Sequence, residues 1–91
     1  MDGSTRWFGT EGRALLILLE GGRIKRKVFQ DCGMDYRAAM TALRKLRENG
    51  LADFEELGNF KDTQVWFLTE RGKVAARKLA ELVEFIEGGK K

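Results

Sequence analysis

The sequence predicts an α+β domain that is mainly helical, with a three-helix core, a β-hairpin and a long C-terminal helix. Residues 10–49 divide into helical segments at glycine stops, with a short strand at Arg23 and Ile24 between the first two. Residues 51–57 and 64–69 are predicted to be two short strands joined by a loop, which is typical of a hairpin. Residues 70–87 then return to helical spacing. A chain of 91 residues with 43% hydrophobic residues can form one compact core.

The segment from Cys32 to Leu51 predicts a turn, a helix and a stop. Gly33 can adopt the left-handed conformation in which the chain reverses. Asp35 is suited to cap the helix, because its carboxylate can accept from the free N–H groups of the first turn. Gly50 stands where glycine usually ends a helix. The segment therefore predicts the second half of a helix-turn-helix.

This third helix has two different sides. At helical spacing, Ala39, Leu43 and Leu46 form its apolar side. The opposite side and its margins are largely polar or basic, and consist of Arg37, Met40, Thr41, Arg44 and Lys45. A small apolar back and a basic front are what a DNA recognition helix requires.

The net charge of +3 is concentrated in one part of the chain. Residues 21–49 carry +5, whereas the segments before and after carry −1 each. Lys25, Arg26 and Lys27 lie at the predicted start of the second helix, where cations oppose the helix dipole. The presence of three cations at this unfavourable position indicates that they contact an anionic partner. On charge alone, a phosphate-binding patch and a solvated basic face remain equal alternatives.

The first helix is predicted to begin at Thr10, after a flexible tail over residues 1–9, and the domain to cover residues 10–88. Trp7 and Phe8 are too apolar to stay in solvent. We expect them either to fold back on the domain or to cover a second subunit.

The second strand is apolar on both faces, from Val65 to Leu68. One face is expected to meet the helices, and the other needs a cover from the tail or a second subunit. The last helix, capped by Thr69, is expected over residues 70–87 and has a broad apolar surface. It predicts a homodimer rather than a monomer, through Leu79, Leu82, Val83, Phe85 and Ile86.

Several function classes are disfavoured. The chain has no histidine, no cysteine pair and no phosphate-cradling glycine loop, so we expect no enzyme, metal or cofactor. No run reaches eighteen apolar residues, and no signal-peptide pattern is present. The single cysteine, Cys32, favours an intracellular, cytoplasmic location, and we expect it to be a small core residue.

Short motifs resemble the winged helix-turn-helix family, in particular small archaeal transcription-regulator-like domains. Residues 32–35 look like the turn before the family's recognition helix. Residues 43–46 and 48–51 look like the end of that helix and the start of the wing, and residues 67–72 like the start of the final helix. The resemblance covers about residues 10 to 80.

The resemblance implies a DNA-binding transcriptional regulator, associated with the nucleoid, whose third helix enters the major groove of double-stranded DNA. It assigns DNA contacts in the third helix to Tyr36, Arg37, Met40, Thr41, Arg44 and Lys45. In the wing it assigns them to Asn59 and Lys61. Lys25, Arg26 and Lys27 are expected to contact phosphates. The wing region is acidic, through Asp53, Glu55, Glu56 and Asp62. A protein-interaction module of a transcription or chromatin assembly is therefore the alternative, and a sequence-indifferent architectural DNA binder lies between the two.

Overall fold

A computed structural model of the chain describes the backbone of residues 3–57 and 64–88, and side chains from residue 9 onward within these ranges. The helices and strands follow the predicted order. They are α1 (Gly3–Gly21), β1 (Ile24–Lys25), α2 (Lys27–Asp31), α3 (Tyr36–Glu48), β2 (Ala52–Glu56), β3 (Gln64–Leu68) and α4 (Glu70–Gly88).

The prediction of a flexible tail was wrong from residue 3 onward, whereas the break at Gly9 agrees with the predicted start of the main helix at Thr10. Helix α1 begins at Gly3, so the segment assigned to a tail is helical before the predicted cap at Thr10. Gly9 interrupts the helix with φ 73° and ψ −164°, and separates the first residues from the main part. The side chains of Trp7 and Phe8 lie outside the described residues.

Two predictions around α2 were also wrong. Lys25 does not start the helix but lies in β1, opposite Val65 of β3. Cys32 is exposed rather than buried in the core. It is the C-cap of α2, with φ −85° and ψ 8°, and the helix ends at Asp31. Because the last helical residue precedes it, its side chain no longer continues the apolar stripe that buries Phe29.

The predicted caps and turns around α3 are confirmed. The Asp35 carboxylate accepts from the backbone N–H groups of Arg37 at 3.0 Å and Ala38 at 3.3 Å. Gly33 and Gly50 have φ of 90° and 75°, a region that side chains with a Cβ rarely adopt. These two turns set where α3 begins and ends.

The three strands form an antiparallel sheet in the order β1-β3-β2. Trp66, in the central strand, lies opposite Ile24 and Phe54, and its ring is 4.9 Å from that of Phe54 between centroids. Trp66 is 2% exposed, so the inner face of the sheet closes the core against the helices. The other main contributors to this core are Ala14, Leu18, Phe29, Ala39, Ala42, Leu43, Leu46, Leu68 and Ala76.

Helix α4 is tied to the turn that follows α3. The Thr69 hydroxyl accepts from the backbone N–H of Gly72 at 3.0 Å, which confirms the predicted cap, and donates to the Gly50 carbonyl at 2.6 Å. The Thr69 backbone N–H donates to the Leu51 carbonyl at 3.1 Å. The helix then packs along α1. None of the helices over residues 3–57 and 64–88 combines the length and apolar character needed to cross a bilayer.

Candidate nucleic-acid interface

The outer face of α3 presents the predicted polar residues to solvent. Arg37, Thr41 and Arg44 are exposed along one side of the helix, and Tyr36 is 43% exposed at its start. Met40 is half-buried and packs against the core. The opposite side of the helix is fully buried, through Ala39, Ala42, Leu43 and Leu46. The helix is therefore held by its apolar back and leaves its basic front accessible.

Lys45 lies at the margin of this face and is tied to α1. Its Nζ is 3.4 Å from the Glu11 carboxylate, and the two side chains are 59% and 41% exposed. An ion pair this exposed contributes little to folding. Lys45 can therefore exchange this carboxylate for a phosphate at small cost.

A second basic feature lies beside the start of α3. The Arg26 guanidinium donates to the Tyr36 hydroxyl at 3.1 Å and lies 5.5 Å from the centre of its ring. Lys25, Arg26, Lys27 and Tyr36, with Gln30, line a cleft of about 360 Å³. The fold thus brings the three predicted cations of β1 and α2 next to the recognition helix. A concave basic surface at this place suits a phosphate.

The acids of the wing region are partly neutralised by arginines. Arg47 Nε is 3.0 Å from Asp53 Oδ1, and Arg23 forms an ion pair with Glu55. The backbone N–H of Phe54 donates to Asp53 Oδ1 at 2.8 Å. This hydrogen bond, together with the contact from Arg47, holds the pKa of the Asp53 carboxyl below its usual range. Asp53 and Glu55, two of the acids that made the wing region unfavourable for DNA binding in the sequence, are therefore paired with cations in the fold.

The remaining wing predictions lie outside the described residues. Asn59, Lys61 and Asp62 fall within residues 58–63, which the structure does not describe. Their contact with DNA stays a prediction.

Sequence reasoning missed three arginines that organise this region. Arg47 and Arg23 pair with wing acids, and the Arg13 guanidinium of α1 donates to the Cys32 carbonyl in the turn before α3. For Arg47 a signal existed, since an acid follows six residues later across a glycine turn. For Arg13 and Arg23 the partners are 19 and 32 residues away, and no local pattern indicates them.

The residues predicted for a dimer contact lie in two environments. Leu79 is half-buried and packs against the domain's own core. Phe85 is 75% exposed, and Leu82 and Ile86 are 45% and 40% exposed, while Val83 is half-buried. The C-terminal half of α4 therefore carries an apolar surface that the described residues do not cover, and this surface continues into a shallow cleft between α1 and α4.

Searches against protein-family models and against curated proteins gave no match to this sequence. Solved structures do match. ZitR of Lactococcus lactis, in a mutant apo form, has a TM-score of 0.77 at 24% identity over 90% of this chain and 62% of its own. The Multiple Antibiotic Resistance Repressor, MarR, has a TM-score of 0.70 at 19% identity over 80% of this chain and 54% of its own. A MarR transcriptional regulator from Methanosarcina mazei Go1 has a TM-score of 0.73 at 20% identity over 91% of this chain and 63% of its own.

This chain spans 54% to 63% of the length of those three solved chains. The shared part includes most of its helices and strands, since 80% to 91% of this chain is covered. At these identities the similarity establishes the architecture. The chain has the winged helix-turn-helix fold, with α2 and α3 as the helix-turn-helix and β2 and β3 as the strands of the wing.

Proposed function

We propose that the chain is a transcriptional regulator that binds double-stranded DNA, with α3 in the major groove and the wing on the adjacent backbone. The observation that carries this proposal is the front of α3, where Arg37, Thr41 and Arg44 are exposed opposite a fully buried back. Guanidinium groups on such a helix can bind guanine edges or phosphates. Two of the solved structures above are a repressor and a transcriptional regulator rather than enzymes, which supports this function.

The basic cleft extends the proposed surface beyond α3. In helix-turn-helix proteins the first helix of the motif crosses the DNA backbone while the second enters the groove. Lys25 at the end of β1, Arg26 at the N-cap of α2 and Lys27 in its first turn lie at the start of that first helix, beside Tyr36. We assign them to phosphates, and we assign Asn59 and Lys61 of the wing to the neighbouring backbone.

A response to zinc is not part of the proposal. ZitR is described as a zinc-responsive MarR family member. Zinc sites in proteins use mainly cysteine and histidine. This chain has one cysteine and no histidine.

The experiment that tests DNA binding is fluorescence anisotropy with a labelled random duplex at several salt concentrations. We expect affinity to fall steeply with salt, because each neutralised phosphate releases counterions. Four phosphate contacts would give a slope of log K against log salt of about −3.6. The absence of binding at low salt would contradict the proposal and favour the protein-interaction alternative. In that case the acidic wing becomes the surface to test for a protein partner.

We also propose that the chain forms a homodimer through the C-terminal half of α4, with Trp7 and Phe8 of α1 as further contacts. Leu82, Phe85 and Ile86 form an apolar surface at the end of α4 that the described part of the chain leaves uncovered. Contiguous exposed apolar surface, unlike a single exposed side chain, is a mark of protein-interaction sites. A second copy offers the same surface, and C2 dimers are the commonest assembly of this kind.

The dimer is tested by Phe85→Glu, which would place two charges against each other across a two-fold contact. Sedimentation equilibrium at micromolar concentration is expected to show a dimer for the unmodified chain and a 10.4 kDa monomer for the variant. Glu84→Gln, one residue away, is the control and is expected to remain a dimer. A single 10.4 kDa species from the unmodified chain would exclude this assembly.

A further inference from the structure

Arg47 connects the end of α3 to the base of the wing through three successive contacts. Its Nε donates to Asp53 Oδ1 at 3.0 Å, on the first strand of the wing. Its guanidinium lies 4.9 Å from the centre of the Phe54 ring. The Phe54 ring in turn lies 4.9 Å from that of Trp66, which is buried. One side chain of the recognition helix is thus attached both to a wing residue and, through Phe54, to the core.

The position of Arg47 on α3 separates it from the proposed DNA-reading side chains. At 100° per residue, it lies at the flank of the helix rather than on the strip formed by Arg37, Thr41 and Arg44. Its partner Asp53 follows it across the turn at Gly50, the segment where the chain changes direction between helix and wing. The contact therefore adds a side-chain link between α3 and β2 to the hydrogen bonds from Thr69 that hold this turn at Gly50 and Leu51.

We propose that Arg47, together with Asp53, is a positioning pair that holds the wing at the angle to α3 at which both can engage one DNA duplex. This inference rests on the DNA-binding function proposed above. Arg47 and Asp53 side chains are 55% and 49% exposed. A pair this exposed adds little to folding stability, so its effect is expected in the placement of the wing and not in whether the domain folds.

The positioning role predicts a change in DNA affinity that is opposite to the change expected from the loss of a negative charge alone. Removing a carboxylate from a DNA-binding surface normally strengthens binding, because it removes repulsion of the phosphates. If Asp53 positions the wing, its loss weakens binding even though the surface becomes more positive. A substitution that removes the charge of Arg47 cannot distinguish positioning from charge, because the guanidinium attracts phosphate whether or not it positions the wing.

The experiment compares Asp53→Ala with Glu56→Ala on a duplex that the unmodified chain has selected from a random pool. Glu56 is a matched control, since it is an exposed acid on the same strand, nearer the wing loop. We expect Asp53→Ala to bind the selected duplex roughly fivefold more weakly, the factor that corresponds to about 0.95 kcal/mol. Glu56→Ala is expected to bind equally or more tightly. Melting curves of both variants are expected to match the unmodified chain.

Two further variants separate orientation from charge. Asp53→Glu keeps the carboxylate and is expected to recover part of the lost affinity. Arg47→Lys keeps the positive charge but loses the planar group that stacks on Phe54, and is expected to weaken binding to the same extent as Asp53→Ala. Full affinity in Arg47→Lys would overturn the proposal.

A measurement without DNA tests the same pair independently. Amide hydrogen exchange at residues 52–56 is expected to be faster in Arg47→Lys than in the unmodified chain, since the strand loses its attachment to α3. Unchanged exchange would overturn the proposal.

The outcomes distinguish this inference from the function on which it rests. If the unmodified chain selects no duplex, both fail. If it binds DNA but Asp53→Ala binds as tightly as Glu56→Ala or more tightly, only the positioning role fails.

Discussion

Gly72→Ala is expected to lower the melting temperature of the domain by roughly 15 °C, which corresponds to about 3 kcal/mol of stability. Gly72 lies in the first turn of α4, buried against Leu51 in the turn that follows α3. A Cβ at this position would lie 1.8 Å from the Leu51 carbonyl oxygen and 3.1 Å from a methyl carbon of Leu68. A carbon and a carbonyl oxygen normally approach no closer than about 3.3 Å.

The clash cannot be relieved by a side-chain rotation, because the atom in the way belongs to the backbone. The two segments would have to separate by about 1.5 Å. That movement breaks the hydrogen bond from the Thr69 N–H to the Leu51 carbonyl and strains the cap at Gly72. In an open helix the same substitution would stabilise by up to about 1 kcal/mol through helix propensity. Whether Gly72→Ala destabilises or stabilises the domain thus depends on this contact alone.

Thermal and chemical denaturation followed by circular dichroism measure the effect. Gly88→Ala is the control, because a Cβ there meets only a side-chain carbon of Glu84 at 3.7 Å, an ordinary contact. Its stability is expected to stay within about 0.5 kcal/mol of the unmodified chain. A melting temperature of Gly72→Ala within experimental error of this control would show that the close approach of α4 to Leu51 is wrong.

The second large effect is expected on DNA binding, from Arg37→Ala combined with Arg44→Ala. Each guanidinium is assigned to a base edge or a phosphate, and the loss of one such contact costs about 1–3 kcal/mol. We expect the double variant to bind a selected duplex at least about thirtyfold more weakly. Both side chains are exposed on the front of α3, so the fold is expected to remain intact.

Anisotropy titrations of the double variant measure this loss, and circular dichroism verifies the fold. Arg77→Ala combined with Lys78→Ala is the matched control, because it removes the same charge from exposed positions of α4. Its affinity is expected to fall only slightly, through the change in net charge. If the two double variants lose the same affinity, binding depends on total charge and the assignment of the interface to α3 is wrong.

The order of helices and strands could be predicted because each boundary has a local chemical cause. Asp35 accepts from the first free N–H groups of α3, and Thr69 does the same for α4. Gly33 and Gly50 supply the left-handed residues at the two turns. These interactions span only a few residues, so they can be recognised without knowledge of the rest of the fold.

The errors occurred where helical periodicity competed with another structural determinant, strand pairing at Lys25 and a glycine turn at Cys32. Lys25 continues a helical pattern, but pairing opposite Val65 draws it into a strand. Cys32 has the right spacing for the apolar stripe of α2, yet the helix ends one residue before it. Strand pairing is decided by a partner that is distant along the chain, which periodicity does not contain, whereas α2 ends through short-range hydrogen bonds and the left-handed Gly33.

By itself, the sequence determined the type and order of the helices and strands, the basic front of the third helix and the apolar surface of the last. Only the tertiary structure decided which charges remain available to a partner. Arg23 and Arg47 are matched to Glu55 and Asp53, whereas the front of α3 stays exposed. The physical reason is that a cation's availability depends on the nearest carboxylate in space. For Arg23 that carboxylate is 32 residues away along the chain.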